Sequence, residues 1–247
     1  MSLQITNLSK KYKEEYAVFN LSANLQPGAL IGLIGPNGSG KSTLLKLLAT
    51  LIKPSSGDIL IDGKSIIRKP DHMRKVLGYL PQQFSVYPNL TASEFLFYMA
   101  ALKGIPGKLS AVQVPLLLDL MHLTPQAGQI LSTFSGGMLQ RIGLANALLG
   151  EPEILIVDEP ASGLDPQERL TIRNHLSKYA EDHIVIMSTH IISDIEAAAG
   201  RLLVMKNGLL LFDGTPNALI EKAHNAGKPF PISLEDAFLS ELERSLL

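Results

Sequence analysis

The stretch ALIGLIGPNGSGKSTLLKLLATLI, residues 29–52, is the part of this sequence that says most about its architecture. It opens with a run that is apolar nearly throughout, as in a strand buried on both faces of a sheet. It closes with a leucine-rich helical pattern, and a glycine-rich loop lies between the two. Glycines let successive backbone N–H groups converge on phosphate oxygens, and the helix N-terminus adds its positive end. Strand, loop and helix in this order predict an α/β protein that binds a nucleotide.

The loop matches the pattern G-x-x-x-x-G-K-[ST], and the alternative is a plain glycine-rich turn. The strand before it and the helix after it favour nucleotide binding. Lys41 is placed to reach the β- and γ-phosphates, and the Ser42 hydroxyl to bind Mg²⁺. The predicted nucleotide-binding residues are Gly35, Pro36, Asn37, Gly38, Ser39, Gly40, Lys41, Ser42 and Thr43.

Two carboxylates follow a second buried strand, in ILIVDEP. Ligands of an open parallel sheet sit beyond the carboxyl ends of its strands, so Asp158 and Glu159 should reach the phosphates. We expect Asp158 to hold magnesium, directly or through water, and Glu159 to polarise the attacking water. The alternative is a pair of acids that caps a strand and faces solvent. His190, which ends IVIMSTH, and Gln82, after GYLP, are further candidates at this edge.

The stretch TFSGGM, residues 133–138, predicts a second anion-binding turn. Ser135 is a good N-cap, and Gly136 and Gly137 leave the first N–H groups of the helix uncovered. The helix behind them presents an apolar face made of Met138, Ile142, Ala145 and Leu149. If the first loop already fills the nucleotide site of its own chain, this turn is predicted to serve the nucleotide of a neighbouring chain. The alternative is a plain capped turn.

Composition bounds the remaining functions. The chain has 247 residues, with 22 basic and 23 acidic side chains and no cysteine. No basic excess draws it to nucleic acid, and we expect no nucleic-acid partner. No apolar run is long enough to cross a bilayer, and the start, MSLQITNLSKKY, lacks the apolar region of a signal peptide. We therefore expect a cytoplasmic protein.

Patterning predicts the remaining elements. VFNLSANL alternates as a half-buried antiparallel strand, with Phe19, Leu21, Ala23 and Leu25 on one face. Thr91 and Glu94 form a capping-box signal ahead of the apolar residues Phe95, Leu96, Met99 and Leu102, and Gly104 is placed to end this helix. Asn207-Gly208 predicts a hairpin, and two short helices should follow, from Thr215-Pro216 and from Ser233. Tyr12 and Tyr16 are candidates to stack on adenine, although an aromatic near the N-terminus is usually core.

Six motifs together resemble an ATP-binding cassette (ABC) ATPase, the nucleotide-binding subunit of ABC transporters. They are GPNGSGKST, LPQ ending at Gln82, FSGGM, ILIVDEP, SGLD at 162–165 and STH ending at His190. The likeness covers nearly the whole chain and implies a P-loop NTPase core with a mostly parallel sheet, an N-terminal antiparallel β-subdomain and an inserted α-helical subdomain. It implies one ABC domain over 1–247: core and β-subdomain in 1–82 and 151–215, helical subdomain in 83–150 and a helical tail in 216–247.

The resemblance also implies roles for individual residues. Gln82 is similar to the glutamine that touches magnesium or the attacking water, and Tyr12 to the aromatic that stacks on adenine. Glu159 resembles the catalytic base, His190 the switch histidine and Asp165 the aspartate that crosses between subunits. Two copies would then bind two ATP molecules head to tail, the Lys41 loop of one facing Ser135 of the other.

The implied partners are ATP, Mg²⁺, a second nucleotide-binding subunit and a membrane permease that would hold the chain at the cytoplasmic face of the membrane. Phe134 and Met138 depart from the commonest form of the family's signature, which has leucine and glutamine there. The ending SLEDAFL, residues 233–239, resembles the subgroup paired with ABC-2-type permeases and favours export. An ABC ATPase without a permease, and a nucleotide-dependent binding module with little turnover, are the alternatives.

Overall fold

The computed structural model describes residues 1–161, 163–226 and 231–244. These residues form two sheets and a set of helices. The strands are β1 (Leu3–Tyr12), β2 (Glu15–Leu25), β3 (Leu30–Ile34), β4 (Ser56–Ile61), β5 (Lys64–Ser65), β6 (Leu77–Leu80), β7 (Ile154–Asp158), β8 (Ile184–Ser188), β9 (Ala199–Lys206) and β10 (Leu209–Gly214). The helices are α1 (Lys41–Leu48), α2 (Asp71–Arg74), α3 (Ala92–Leu102), α4 (Gly107–Leu120), α5 (Gly136–Leu148), α6 (Pro166–Tyr179), α7 (Ile192–Glu196), α8 (Pro216–Asn225) and α9 (Leu234–Arg244).

The larger sheet has the strand order β10-β9-β3-β8-β7-β6. Strands β9 to β6 run parallel, and β10 pairs antiparallel with β9. Every residue of β3, β7 and β8 is buried, which confirms the predicted strands covered on both faces. Because these three strands are parallel, their carboxyl ends meet at one edge. The phosphate loop leaves β3 there, and β7 and β8 end there at Asp158 and Ser188.

Apolar side chains pack on both faces of this sheet. In β3, Leu30 and Ile34 join the core that contains α3, α5 and α6, while Ile31 and Leu33 join the core that contains α1 and the smaller sheet. Alternation along a single strand therefore connects two cores. The result is the layered α/β fold predicted from the sequence.

The smaller sheet is antiparallel, with the order β2-β1-β4-β5. Leu21 and Leu25 are buried in it as predicted, but the prediction that Phe19 points inward is wrong. Phe19 is 44% exposed, whereas Val18 is 0% exposed. Asn20 has a φ of 48°, and the pairing of β1 with β2 shifts register around it. Such a bulge inserts one residue and exchanges the faces of the side chains before it.

Helices α3, α4 and α5 lie between β6 and β7 in the chain. The predicted capping box is confirmed: Glu94 N donates to Thr91 Oγ1 at 3.2 Å, and Thr91 N donates to Glu94 Oε2 at 2.9 Å. Of the apolar residues in this helix, Phe95 is 1% exposed, whereas Leu102 is 62% exposed. The helix ends at Leu102, and Gly104 turns the chain with a φ of 73°.

The C-terminal elements agree with the sequence. Asn207 and Gly208 have φ values of 49° and 79°, as the two-residue hairpin requires. Thr215 caps α8 through a bond from Ala218 N, and α9 begins after Ser233. Among the described residues, no helix combines the length and the apolar character needed to cross a bilayer. The division of the chain at 82/83, 150/151 and 215/216 stays a prediction, and its tail includes 227–230 and 245–247, which lie outside the described residues.

Candidate functional site

The phosphate loop joins β3 to α1, and two of its glycines leave no room for a side chain. A Cβ on Gly35 would lie 2.2 Å from the carbonyl oxygen of Met205, and one on Gly40 would lie 2.1 Å from that of Ala17. Gly40 also has a φ of 106°, which L-residues rarely adopt. The loop is therefore pressed against the backbone of β2 and β9.

The hairpin after β9 closes this contact. Gly208 N donates to Ser39 O at 2.9 Å, and Phe19 N donates to Gly208 O at 2.8 Å. The turn of the hairpin thus bonds the phosphate loop on one side and the small sheet on the other. Strands β2 and β9 and the hairpin turn at Gly208 thus together fix the shape of the phosphate loop.

Two polar groups in the loop are buried in a way that suits an anion. Lys41 Nζ donates to Gly35 O at 2.7 Å and to Pro36 O at 3.1 Å. Burial lowers the pKa of Lys41 from its usual value, while the carboxylates of Glu159 and Asp158 act in the opposite direction. Ser39 is 1% exposed, and its Oγ has no hydrogen-bond partner among the described residues. A phosphate would supply the buried Lys41 ammonium with a charge partner and the Ser39 hydroxyl with an acceptor.

Asp158 and Glu159 stand where the sequence predicted, at the end of β7. Asp158 is 3% exposed, and Ser188 Oγ donates a hydrogen bond to its Oδ1. Glu159 has a φ of 55°, which is unusual for a residue with a side chain, and its N–H donates to both Ser188 O and Ser188 Oγ at 3.1 Å. On the other side of the peptide, Gln140 Nε2 donates to Glu159 O at 3.2 Å. The left-handed conformation of Glu159 is thus held by bonds to its N–H and its C=O.

His190 is brought to the same edge. Its Nδ1 lies 2.7 Å from Glu159 Oε2, and the two side chains are 63% and 11% exposed, respectively. The imidazole therefore reaches the carboxylate from the solvent side. A neutral or protonated ring with hydrogen on Nδ1 donates this bond, which fixes the direction of the Glu159 side chain.

Two adjoining cavities contain the predicted nucleotide-binding residues. One of about 570 Å³ runs along the loop from Tyr12 to the carboxylates, and one of about 380 Å³ continues past His190. The first is lined by Tyr12, Ala17, Asn37, Gly38, Ser39, Gly40, Lys41, Ser42, Thr43, Gln82, Asp158 and Glu159. Gly35 and Pro36 line the second, which also shares Asn37, Gln82 and Glu159 with the first. Tyr12 is 48% exposed, and Lys10 Nζ lies over its ring at 5.0 Å from the ring centre, so a flat base would have to stack on the other face or displace the ammonium.

The turn that the sequence predicts as a second anion-binding site lies outside these cavities. Ser135 Oγ accepts from Met138 N at 3.3 Å, which confirms the predicted N-cap of α5. Asp165 caps α6, accepting from Glu168 N at 2.8 Å. A Cβ on Gly137 would lie 3.0 Å from Leu164, so the two helix starts are neighbours. Ser135, Gly136, Gly137 and Asp165 are not among the described residues that line either cavity. Ser162 of the SGLD stretch lies outside the described residues.

The oxygen groups near the loop fit magnesium. Ser42, Gln82 and Asp158 line the same cavity and offer a hydroxyl, an amide and a carboxylate, the oxygen ligands that Mg²⁺ takes together with water and phosphate. In the described part of the chain, no cluster of three or more His, Cys, Asp or Glu residues forms a metal cage.

Ser188 and Gln140 were not identified as site residues from the sequence. The sequence held a signal for Ser188, because it is the first polar residue after the apolar run of β8. The structure pairs it with Asp158 in the parallel register of β7 and β8. Gln140 gave no such signal, since its partner is a backbone carbonyl in a distant segment.

The comparisons with known proteins agree with this site. The model of the ABC transporter family matches residues 18–162. The chain belongs to this family, and it is therefore an ATP-binding and ATP-hydrolysing subunit of an ABC transporter. Such subunits form dimers and work with membrane permeases.

Two relatives are similar over nearly the whole chain. The chain is 35% identical over 241 residues to YxlF, an uncharacterized ABC transporter ATP-binding protein of Bacillus subtilis (strain 168), covering 98% of this chain and 79% of YxlF. It is 33% identical over 249 residues to the Nod factor export ATP-binding protein I of Burkholderia pseudomallei (strain 1710b), covering 98% and 82%.

Solved structures give the same result for the fold. An ATP-binding subunit of an ABC transporter superposes with a TM-score of 0.87 at 27% identity, covering 98% of this chain and 100% of that one. The dimeric bacterial ABC transporter cassette MJ0796 superposes with a TM-score of 0.79 at 28% identity, covering 86% of this chain and 98% of that one. The predicted ABC-type fold is confirmed.

Proposed function

We propose that two copies of this chain, or this chain and a related one, close head to tail on two ATP molecules and drive an ABC-2-type export permease. The observation that carries this proposal is the separation of two phosphate-binding elements. The loop with Lys41 lines a cavity with both carboxylates, while the α5 N-terminus at Ser135 lies outside it. In a head-to-tail dimer, Ser135, Gly136 and Gly137 of one subunit would complete the site of the other, with Asp165 beside them at the interface.

Within each site, the nine loop residues from Gly35 to Thr43 would hold the phosphates, and Tyr12 would stack on adenine. Mg²⁺, held by Ser42, Asp158 and Gln82, would neutralise phosphate charge when bound. Lys41 would stabilise the charge on the β- and γ-phosphate oxygens, as would the partner's helix N-terminus at Ser135. Buried charges act strongly on a phosphoryl group because little water screens them.

Glu159 would accept a proton from the attacking water while the water oxygen bonds to the γ-phosphorus. The bond between the γ-phosphorus and the oxygen that leaves with ADP breaks in the same reaction, giving ADP and inorganic phosphate. His190 would orient Glu159 through the bond to its Oε2, and Gln82 would help to place the water. Ser188 would act by holding the Asp158 carboxylate and the Glu159 N–H, and Gln140 by holding the Glu159 carbonyl. Catalysis here depends on positioning and charge, for which a rigid strand edge is suited.

The direction and the partner are inferred from the tail and the relatives. The SLEDAFL ending and the similarity to a Nod factor export protein support export through an ABC-2-type permease. Residues 83–150 would form the helical subdomain that receives the permease, with 1–82 and 151–215 as core and β-subdomain and 216–247 as tail. The chain would then sit at the cytoplasmic face of the membrane.

The test is dimerisation of a variant that binds ATP without hydrolysing it. Glu159→Gln with Mg²⁺ and ATP should elute as a dimer in size-exclusion chromatography with light scattering, because the ATP-bound dimer can no longer hydrolyse ATP and separate. The matched control, Glu159→Gln combined with Ser135→Arg, should bind ATP as a monomer. A Glu159→Gln protein that stays monomeric with Mg²⁺ and ATP contradicts the head-to-tail mechanism, and a double variant that still dimerises removes Ser135 from the interface.

A further inference from the structure

The C-terminal helix α9 carries the SLEDAFL residues, and the roles proposed above give it no task at the site. Its start is a hydrogen-bonded cap: Ser233 Oγ donates to Asp236 Oδ2 at 2.6 Å, and Asp236 N donates to Ser233 Oγ at 3.0 Å. Leu234 and Ala237 are 0% and 1% exposed, and they join the core beneath the large sheet. These contacts fix both the start and the rotation of the helix.

The far end of α9 is fixed as well. Glu241 is 8% exposed and pairs with Lys222 of α8 at 2.7 Å. Lys206, at the end of β9, donates to Leu242 O. An amphipathic helix of 11 residues would not stay folded alone in water, so these contacts give α9 a fixed position.

This position brings Phe238 to the hydrolytic site. The ring is partly buried against the core and lines the cavity of about 380 Å³ that also contains Gln82, Glu159 and His190. Ile192, the first residue of α7, lines the same cavity, and α7 and α9 are in contact. The cavity beside the carboxylate therefore has an aromatic wall contributed by the C-terminal helix.

His190 lies two residues before the start of α7 and depends on this helix for its place. Helix α7 has five residues, too few to be stable by itself, so its position comes from packing: Ile195 is 0% exposed in the core, and Ile192 lines the same cavity as Phe238 of the contacting helix α9. The His190 side chain is 63% exposed, which leaves its direction dependent on the backbone that carries it.

We propose that Phe238 is a positioning residue for hydrolysis, which holds the start of α7 and thereby keeps His190 on Glu159. This rests on the proposed roles of His190 and Glu159. The C-terminal helix is then part of the machinery of the site as well as a structural element.

The kinetic test compares Phe238→Ala with Leu239→Ala in the full chain. Leu239 is the next residue of α9, is 48% exposed and does not line the cavity, so it controls for truncation of a side chain in this helix. Misplacing a catalytic group by a fraction of an ångström lowers the rate, and we expect Phe238→Ala to reduce kcat roughly tenfold with KM for ATP unchanged. Leu239→Ala should keep both constants. A kcat of Phe238→Ala equal to that of Leu239→Ala overturns the proposal.

A second readout does not depend on hydrolysis. The imidazole signals of His190, assigned in ¹⁵N spectra by their loss in His190→Asn, should shift in Phe238→Ala and stay in place in Leu239→Ala. Unshifted signals overturn the proposal. If the signals shift but His190→Ala retains full turnover, the proposed role of His190 has failed while the positioning by Phe238 stands.

Phe238→Leu, which keeps most of the side-chain volume, covers the case in which Phe238→Ala does not fold. Its kcat and its His190 signals should lie between those of the wild type and Phe238→Ala. If only this variant is soluble, wild-type values for both measurements overturn the proposal.

Discussion

Two buried serines near the phosphate loop should respond in opposite ways to the loss of their hydroxyl groups. Ser188 is 0% exposed and its Oγ donates to the carboxylate of Asp158, itself 3% exposed. A hydrogen bond to a charged group contributes about 1.5–3 kcal/mol, and Ser188→Ala leaves a buried carboxylate oxygen without it. Glu159 N keeps its bond to Ser188 O, so the loss falls mainly on Asp158.

We therefore expect Ser188→Ala to lower the free energy of unfolding by about 2 kcal/mol. In a chain of this size, each kcal/mol moves Tm by about 2–4 °C, so the Tm should fall by roughly 4–8 °C. Ser39 is the matched control, because it is also buried but its Oγ has no partner among the described residues. Ser39→Ala removes an unsatisfied polar atom and should leave the Tm unchanged or raise it.

The assay is calorimetric unfolding without nucleotide and magnesium, since a ligand that binds the folded state would add its own stabilisation. In a second scan with saturating ATP, Ser39→Ala should gain less than the wild type, because the hydroxyl that would meet the phosphate is gone. A Tm of Ser188→Ala equal to the wild-type value, or a fall in Ser39→Ala as large as that in Ser188→Ala, refutes this account of the two hydroxyls.

Two further predictions concern the phosphate loop and a buried lysine. Gly35→Ala places a Cβ 2.2 Å from the carbonyl oxygen of Met205 and should lower the free energy of unfolding by about 3 kcal/mol or more, measured by urea titration. Gly128→Ala is the control, because open space surrounds this glycine, and it should be near neutral. Equal effects of the two substitutions would contradict the steric argument. Lys103 Nζ donates to Asn146 O and Leu149 O, and burial lowers the pKa of this lysine to about 8. Between pH 8 and the ordinary pKa of lysine, the unfolded chain therefore binds more protons than the folded chain. The stability of the wild type relative to Lys103→Met should therefore rise from pH 8 towards pH 10, and a flat or falling difference in urea titrations would contradict it.

The sequence predicted those features that depend on local pattern. The loop from Gly35 to Thr43, the Thr91 capping box, the Ser135 cap and the hairpin at Asn207-Gly208 each depend on residues near one another in the chain. The placement of Asp158, Glu159 and His190 at one edge was also predictable, because parallel buried strands bring their carboxyl ends together.

Features set by distant contacts were not predictable in this way. Phe19 faces outward because a bulge at Asn20 exchanges the faces of β2, and an alternating pattern does not reveal a bulge. Leu102 fits the helical period, but no neighbouring element covers it. Gln140 and Phe238 reach the site from segments whose sequence gives no hint of the approach.

The bonds of the hairpin turn at Gly208 to Ser39 and Phe19 have a consequence for biosynthesis. The phosphate loop is translated early, but the carbonyl of Met205 that packs on Gly35 and the N–H of Gly208 that bonds Ser39 are made more than 160 residues later. A ribosome-bound chain stalled before this hairpin emerges would contain every residue of the loop and still lack its scaffold. We therefore expect a nascent chain to acquire nucleotide affinity late, when most of the polypeptide has left the exit tunnel, so that incomplete chains do not compete for ATP.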